Sequence, residues 1–366
     1  LGSDWLTSEN VAGYAWQLDE WRFALGEDAD LLIYGCDLAS SDAGRELLTV
    51  LAAACDCDVA ASTDDTGHAM FGGDWDLEYS TGSIETNVAF SEYTQAEWGH
   101  LLNVTTVIVD TVSDLVNGDT SSIAALILNK GADNAISLGE AILATNNTPN
   151  GATPDTILFN IAGIGLHTIS LSSALPGITD SVIIDATTQT GYAGLPLIQV
   201  ISSVATSNGF SLQVGSDGST VRGFIIGGFS GNGVEVLSDN NLIELNYIGT
   251  NSTGLAANGN SRGVVIDGGQ NNTIRDNLIS GNASYGIWIH EGTGTASGNK
   301  IIGNLIGTIA NGAGDLGNLL DGLRIETSGT QIGGTAAGAG NTISGNDGNG
   351  VILTGSRATG NTLLGN

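Results

Sequence analysis

The sequence is poor in basic residues, proline, cysteine and aromatic side chains. Its 366 residues include 9 Lys and Arg against 39 Asp and Glu, a net charge of -30, with 4 Pro, 3 Cys and 5% aromatic residues. Proteins bind the phosphate backbone of nucleic acids through clustered Lys and Arg. The sequence has no such cluster, and we therefore expect no nucleic-acid partner.

Two further absences concern membranes and disulfides. No apolar run reaches the ~18 residues that a transmembrane helix needs, so we expect no transmembrane segment. Cys36, Cys55 and Cys57 are too few for a disulfide framework, and the spacing of Cys55 and Cys57 lacks the second pair that a zinc site requires. We therefore predict no metal site of this kind and interpret Cys55 and Cys57 as packing residues.

Glycine is abundant, at 55 residues, and it occurs together with Asn, Thr, Ser and Ile. This composition favours a turn-rich β architecture over disorder. The chain begins at Leu1 without an initiator Met and ends at Asn366 inside a repeated phrase. We therefore expect the rest of a long polypeptide on both sides.

Residues 1–102 read as a small α/β domain. They contain most of the tryptophans and 20 of the 39 acidic residues, but only Arg22 and Arg45 as basic residues. The stretch "SENVAGYAWQLDEWRFAL" has helical spacing, "ADLLIYG" and "CDVAAS" read as buried strands, and "SSDAGRELLTVLAAA" between them reads as a helix capped by Ser40 or Ser41. Strand, helix and strand in about thirty residues predict a parallel βαβ unit. "FGGDWDLEYSTGSIET" predicts a pair of edge strands.

After residue 103, two short phrases alternate along the chain. The first is "NLIELNYIG" from Asn241, repeated as "NTIRDNLIS", "NKIIGNLIG", "NTISGN" and "NTLLGN". The second is a Gly followed by alternating apolar residues, as in "GVEV" from Gly233, "GVVI", "GIWI", "GLRI" and "GVIL". The recurrence varies from 20 to 42 residues, which loop insertions explain.

Two alternating phrases in fixed order predict a solenoid of short parallel strands whose inward residues stack from coil to coil. Asn at the bends tolerates left-handed backbone and can hydrogen-bond its neighbours in a ladder. Irregular spacing argues against a propeller, and a β-sandwich leaves the fixed order unexplained. The predicted fold is therefore mainly β, a right-handed parallel β-helix preceded by a small, incomplete α/β domain with a parallel sheet.

The second part of the sequence resembles bacterial β-helix proteins of the pectate-lyase-like superfamily. "NAISLGEAILATNN" followed by "TPDTILFNI" resembles the Cys-Ser-Leu-Arg-Glu-Ala-type segment that opens such helices, with Ile136 in place of the family's Cys and Gly139 in place of its Arg. "TQIGGTAAGAGNTISGN" resembles a coil of the same group. We predict an opening and capping segment at 103–180, including a helix at 135–147, and β-helix coils at 181–366, truncated at the C-terminus.

Residues 1–102 resemble the C-terminal part of a bacterial domain of unknown function found near the start of very long exported, adhesin-like proteins. The phrases that carry the resemblance are "DADLLIYGCDLASSDAGRELL", "DVAASTDDTG" and "GGDWDLEYSTGSIE". In that family a His-Gly phrase precedes the position of Leu1, a layout that also resembles caspase-like and gingipain-like cysteine peptidases. The resemblance implies a secreted or cell-surface location.

Cys36 is the candidate catalytic residue. It follows a buried strand and precedes a helix, where open α/β sheets place their sites and where the helix dipole lowers the pKa of a thiol. The resemblance implies that its partner His lies before Leu1, so this fragment would be inactive. The alternative is a small buried residue at the end of a strand.

Four other residues are candidates for binding. Asp64 and Asp65 follow a strand end, where they would bind a cation, line a pocket or cap a turn. Tyr285 and Trp288 would stack on a sugar ring or fill the core. No cofactor is predicted, and Ca²⁺ is the cation that the acidic side chains suit.

Three functions remain open. The first is a non-enzymatic segment of an exported bacterial surface protein, with the β-helix as a rigid stalk or as a surface that binds carbohydrate or another cell-surface component. The second is a polysaccharide lyase or hydrolase, which requires three or more carboxylate and basic groups converging from adjacent coils; Asp267, Arg275 and Asp276 are the nearest approach. The third is a caspase-like peptidase with Cys36 as its nucleophile.

Overall fold

The computed structural model describes residues 8, 10–14, 16–18, 21, 29–35, 38–64, 66–67, 73–97, 105–151, 153–202, 208–292 and 296–366. The chain divides into two compact units, Leu1–Val104 and Thr105–Asn366. Among the described residues, no helix has both the length and the apolar character needed to cross a membrane.

The N-terminal unit contains the predicted βαβ unit. Strands β1 (Asp30–Ile33) and β2 (Asp58–Ala61) are parallel, and the helix Asp42–Cys55 lies between them in the chain. The hydroxyl of Ser41 caps this helix by accepting a hydrogen bond from the Gly44 N–H at 3.1 Å. The helix ends at Asp56, whose φ of 53° is left-handed. The strands, the helix and the Ser41 cap are as predicted.

Two other predictions for this unit, a pair of edge strands and a first helix, agree with the structure only in part. Of the predicted pair of edge strands, the described residues contain one, β3 (Tyr79–Ser80), antiparallel to β2, and an isolated bridge joins Thr66 and Asp74. The Glu78 carboxylate accepts from the Thr63 N–H at 2.7 Å, and a short helix, Glu92–Glu97, follows. The predicted first helix appears as a 3₁₀ helix, Val11–Tyr14, with residues 16–18 also helical. Its remaining residues lie outside those described, except residues 8, 10 and 21.

The second unit opens with one strand and two helices. They are β4 (Thr106–Val109), the helix Ile123–Leu128 and the helix Leu138–Asn147. Ser137 and Glu140 form a reciprocal capping box, which fixes the start of the second helix at Leu138, three residues after the predicted start. Both helices bury apolar side chains.

The remaining described strands form three parallel sheets. The first sheet contains β4 with β5 (Asp155–Phe159), β7 (Val182–Asp185), β10 (Thr220–Arg222), β13 (Leu242–Glu244), β16 (Thr273–Arg275), β19 (Lys300–Ile302), β22 (Gln331–Gly333) and β25 (Thr362–Leu364). The second contains β6 (His167–Leu171), β8 (Ile198–Ser202), β11 (Phe224–Gly227), β14 (Tyr247–Ile248), β17 (Leu278–Ile279), β20 (Leu305–Ile306) and β23 (Thr342–Ile343). The third contains β9 (Phe210–Leu212), β12 (Asn232–Val236), β15 (Arg262–Asp267), β18 (Ile287–His290), β21 (Leu323–Ile325) and β24 (Val351–Leu353). From β7 onward the chain visits the three sheets in rotation, and this architecture is the predicted parallel β-helix.

The core consists of inward rows of β-branched side chains. In the first sheet, one row is Val221, Ile243, Ile274, Ile301 and Ile332, each in register with the next and fully buried. Burying each side chain of this size contributes roughly 2 kcal/mol relative to exposure. The stacked rows therefore account for the alternation of apolar residues in both repeated phrases.

Asparagines stack at the corners between the sheets, as predicted. One ladder runs Asn246, Asn277, Asn304, Asn341 and Asn366, with each side-chain N–H donating to the next side-chain oxygen at 2.7 to 3.1 Å. The left-handed conformation falls on the residue before a ladder asparagine, which is itself Asn, as predicted, at Asn240 (φ 60°) and Asn271 (φ 55°), but Leu at Leu245 (φ 58°) and Gly at Gly303 (φ 68°). Glycine adopts this conformation without strain, which explains the frequent Gly-Asn pairs.

Inserted loops account for the irregular repeat length. Residues 249–258 and 307–316 connect the second sheet to the third, and each forms an antiparallel bridge, Thr250 with Ala257 and Thr308 with Asp315. The Ala310 N–H donates to the Gly254 carbonyl at 3.0 Å, so the two loops stack on each other. Two loops of equal length on one corner lengthen some coils and leave the strand register intact.

Candidate functional site

The candidate site residues from the sequence fall into three groups. Cys36 and Asp65 lie outside the described residues. Asp64 is exposed in the N-terminal unit, next to β2. Tyr285 and Trp288 are half-buried on the third sheet of the β-helix.

Asp64 belongs to a group of three exposed carboxylates, with Asp74 and Glu78, whose oxygens lie within 4.8 Å of one another. Partial burial acts to raise the pKa of Glu78, but hydrogen bonds from the Thr63 backbone and hydroxyl and from the Ser62 hydroxyl outweigh it and lower the pKa. Carboxylate oxygens are the ligands that Ca²⁺ takes. Sequence reasoning missed Asp74 and Glu78, although the alternation of acids in "DWDLEY" placed them on one side of an extended segment.

Cys55 and Cys57 take the packing role that was predicted. Cys55 is buried with Leu48 and Leu51 in the core of the N-terminal unit. Burial raises the pKa of the Cys57 thiol to about 11, and the neighbouring Cys55 adds to the increase. A thiol that keeps its proton at neutral pH is a poor nucleophile.

Trp288 lies on the outer side of the third sheet. Its neighbours in β18, Ile287 and Ile289, are fully buried, so alternation directs the indole away from the core. The ring stacks on His290, with centroids 4.0 Å apart and planes 30° apart. The Arg262 guanidinium lies 5.0 Å from the centroid of the indole, within the range of a cation–π contact.

Tyr285 extends this surface along the sheet. Its ring centroid lies 5.8 Å from that of Trp288, and the Arg324 guanidinium lies 5.4 Å from the Tyr285 ring. We call the side chains of Arg262, Tyr285, Trp288, His290 and Arg324 the aromatic face. Tyr285 lies just before β18, and the other four side chains come from β15, β18 and β21, which are far apart in sequence and adjacent in the sheet.

A cleft of about 350 Å³ adjoins the aromatic face. Its walls include Glu291 and Glu326 together with Arg324 and Arg357. The Nε of Arg324 lies 2.6 Å from the Glu326 carboxylate, and Arg357 forms an ion pair with Glu291. The cleft therefore offers two carboxylates, each paired with an arginine, beside a stacked aromatic surface.

The structure separates the three residues that the sequence suggested for a lyase or hydrolase site. Asp267 ends β15 in the third sheet, whereas Arg275 ends β16 in the first sheet and Asp276 follows it at the corner. The Arg275 guanidinium lies 2.6 Å from Glu244. Asp267 lies 3.5 Å from His290. A single lyase-like cluster of these residues is therefore absent.

Charged side chains from adjacent coils do meet on the outer side of the first sheet. Asp185, Arg222, Glu244 and Arg275 occupy successive strands in register and alternate in sign. Arg222 pairs with Asp185 and lies 3.5 Å from Glu244. We call these four residues the charge ladder. Because the charges pair with one another, none of the four is left to bind a ligand as an unpaired ion.

The sequence missed the arginines of the aromatic face. Arg262 and Arg324 each lie in a different repeat from the ring they cover, and only the strand register brings them together. The repeated Gly phrase could have revealed them. Arg262 directly precedes "GVVI", and Arg324 in "GLRI" stands at the same position of the phrase as Trp288 in "GIWI".

Fold and comparisons agree on the class of protein. The chain is a right-handed parallel β-helix protein with a small α/β unit before it. Residues 1–102 match the family model described as a domain of unknown function (DUF4347), and residues 188–366 match the model described as the right handed beta helix region. A comparison with the curated proteins finds no match to this chain.

Proposed function

We propose that this chain is part of an exported bacterial surface protein whose β-helix binds carbohydrate through the aromatic face. The observation that carries the proposal is the outward Trp288, stacked on His290 and placed beside Tyr285 on one side of the sheet. Sugar rings present C–H faces that pack on aromatic rings, and aromatic rings with polar neighbours are typical of binding sites. The location rests on the sequence resemblance of residues 1–102 to a domain of exported adhesin-like proteins, and these residues match the model of a domain of unknown function.

The arginines strengthen this interpretation. Arg262 and Arg324 cover parts of the rings and leave guanidinium N–H groups to donate to sugar hydroxyls. The Nε1 of Trp288 is itself buried, so the indole contributes its ring surface rather than a hydrogen-bond donor. Strands of a parallel sheet hold these groups about 4.8 Å apart, and the surface therefore needs little reorganisation on binding.

The proposal is tested by measuring binding of the 366-residue chain to a panel of neutral and acidic polysaccharides by calorimetry. Trp288→Ala should reduce the affinity by about five- to 150-fold, if a sugar ring gains as much from the indole as a stacked nucleic-acid base does, about 1–3 kcal/mol. Tyr93→Ala, which removes an exposed aromatic side chain in the N-terminal unit, is the matched control and should leave binding unchanged. Equal affinity for Trp288→Ala and the parent chain would reject the aromatic face.

The cleft favours a second candidate function, polysaccharide hydrolysis. Glycosidases use two carboxylates that flank the scissile bond, and Glu291 and Glu326 line one cleft beside the aromatic face. The test is release of reducing ends from any polysaccharide that binds. Activity that disappears in both Glu291→Gln and Glu326→Gln would support hydrolysis, and binding without release of reducing ends would leave the stalk or binding role.

A further inference from the structure

One corner of the β-helix carries a stack of buried side chains that includes a carboxyl group. The strand register of the first sheet aligns the residue at, or just before, the start of each strand from β5 onward. In chain order the stack is Asp155, Val182, Ser219, Asn241, Asn272, Asn299, Thr330 and Asn361. Among these eight described positions, Asp155 alone can carry a charge.

The asparagines of the stack show how a neutral polar side chain is satisfied at this corner. The oxygen of Asn272 accepts the Asn241 N–H of the preceding coil at 2.8 Å, and its side-chain N–H donates to the Ser238 carbonyl at 3.0 Å. The Asn299 side chain makes the same pair of bonds one coil later. Each of these rungs is neutral and both accepts and donates.

Asp155 occupies the first rung without such bonds. Its side chain is fully buried, and neither carboxyl oxygen has a hydrogen-bond partner in the described part of the chain. Burial, with a smaller contribution from the charge of Asp180, raises its pKa to about 7. A buried carboxylate without partners is costly, whereas a protonated carboxyl resembles Asn in having one acceptor and one donor.

Few other charges act on Asp155. Strands β4 and β5 and the 3₁₀ turn Ala186–Thr188 contribute no further ionisable side chain. Asp185 ends β7, three residues beyond the partner of Asp155, and is paired with Arg222. Glu140, on the helix that packs against β5, receives the Asn117 and Gly118 N–H groups. Asp180, just before β7, is thus the charge that faces Asp155.

We propose that Asp155 is a protonation-dependent first rung: its neutral form is accommodated in the buried corner stack of the first coils, and its ionised form loosens β4 and β5. The N-terminal end of the β-helix therefore opens less often in acid than at neutral pH. The remaining rungs are Val, Ser, Thr and Asn and have no charge to gain or lose.

The direction follows from linkage. In the closed state β4 and β5 are packed and Asp155 is buried, whereas in the open state they are loosened and Asp155 has its unfolded pKa of 3.8. Because the pKa in the closed state is higher, the open state releases the proton first as pH rises. The closed state therefore loses stability from about pH 4 to about pH 7, and the loss levels off above pH 7, where both states are ionised. Asp155→Asn removes this dependence.

Hydrogen exchange of the full chain, followed by mass spectrometry on peptides that cover β4 and β5, tests the proposal. At each pH the opening constant of the parent is divided by that of Asp155→Asn, which cancels the intrinsic pH dependence of exchange. The ratio should rise between pH 4 and pH 7, by up to about tenfold per pH unit, and then level off. Peptides from β16 and β19 should show a constant ratio.

Two variants complete the design. Asp155→Ser, which copies Ser219 at the same corner, should behave as Asp155→Asn and covers the case in which Asp155→Asn folds poorly. Asp217→Asn changes an exposed acid elsewhere in the β-helix and should match the parent at every pH. A ratio that does not change with pH would overturn the proposal. It would also be overturned if CaCl₂ at pH 8 tightened the parent alone, since the carboxylate would then be an ion ligand.

Discussion

The first and third sheets of the β-helix are both regular parallel sheets, but the side chains on their outer surfaces interact differently. On the first sheet, Asp185, Arg222, Glu244 and Arg275 pair with one another across successive strands. On the third sheet, the corresponding region presents Trp288 and Tyr285, with arginines over the rings. These four charged side chains of the first sheet therefore pair with one another. The third sheet presents aromatic surface and arginine N–H groups, which the proposed ligand would contact.

The comparison separates two uses of polar residues on one solenoid. Opposite charges placed directly across strands stabilise a sheet, so the charge ladder is explained by stability alone. An indole held on the outer side of a sheet gains less from folding than a buried one, because part of its surface stays in water. The proposed carbohydrate binding would account for its presence. The predictions below test whether the two faces differ in this way.

The largest effect is expected from the corner between the first and second sheets. Asn277 is buried, and its side chain accepts from the Asn246 N–H at 3.0 Å and donates to the Ile243 carbonyl at 2.9 Å. Asn277→Ala leaves these groups unpaired and creates a cavity, so the free energy of unfolding should fall by about 4 kcal/mol. Chemical denaturation measures the change.

The control for this variant is Asn311→Ala, which removes an exposed loop Asn that accepts from the Ala313 N–H. It should cost at most about 1 kcal/mol. If the two variants lost the same stability, the corner ladder would contribute no more than an exposed turn.

A smaller effect is expected within the charge ladder. The Glu244 side chain is only 5% exposed and lies between Arg222 and Arg275, which are 36% and 44% exposed. Glu244→Gln leaves the arginines without their shared partner, and water reaching them offsets part of the loss. The free energy of unfolding should fall by about 2 kcal/mol, with carbohydrate binding unchanged.

Glu326→Gln is the matched change beside the aromatic face. Its pair with Arg324 is 28% exposed on both sides, and such pairs contribute at most about 1 kcal/mol. Equal losses of stability in the two variants would remove the distinction between the faces.

Sequence patterns predicted the interior of the β-helix better than its exterior. The phrase "NLIELNYIG" contains the two ladder asparagines, Asn241 and Asn246, and the inward Ile243, because inward positions repeat in every coil and must fit the same core. The βαβ unit followed from its apolar periodicity for the same reason.

Outer contacts depend on register between distant coils, which one sequence does not reveal. Arg275 meets Glu244, 31 residues earlier, through a shared strand position, and Arg262 covers Trp288 in the same way. The left-handed conformation was predicted for asparagines at the bends, and Asn240 and Asn271 adopt it. Asn tolerates that conformation, but here the ladder asparagines use their side chains and the residues before them, such as Leu245 and Asp276, turn the chain.

The left-handed backbone at one corner residue leads to a third prediction. Leu245, between Glu244 and Asn246, has φ 58° and is 38% exposed. A left-handed backbone costs a residue with a branched side chain about 1 kcal/mol, and Asn avoids much of this cost. Leu245→Asn should therefore raise the free energy of unfolding by about 1 kcal/mol. Leu255→Asn, at an exposed loop position with 59% exposure, is the control and should give no gain. A loss of stability at Leu245 would mean that its side chain packs favourably.

The smallest effect concerns the coupling between Arg262 and Trp288, whose guanidinium and ring centroid are 5.0 Å apart. A double-mutant cycle with Arg262→Gln and Trp288→Ala should give a coupling free energy of about 0.5 kcal/mol, the value of a partly exposed cation–π contact. The same cycle for Arg275→Gln and Glu244→Gln should give at least about 1 kcal/mol, because a carboxylate removed from water interacts more strongly with its partner. Chemical denaturation of the single and double variants supplies both values. A larger coupling on the aromatic face would make Trp288 a structural residue, and its outward position would no longer argue for a ligand.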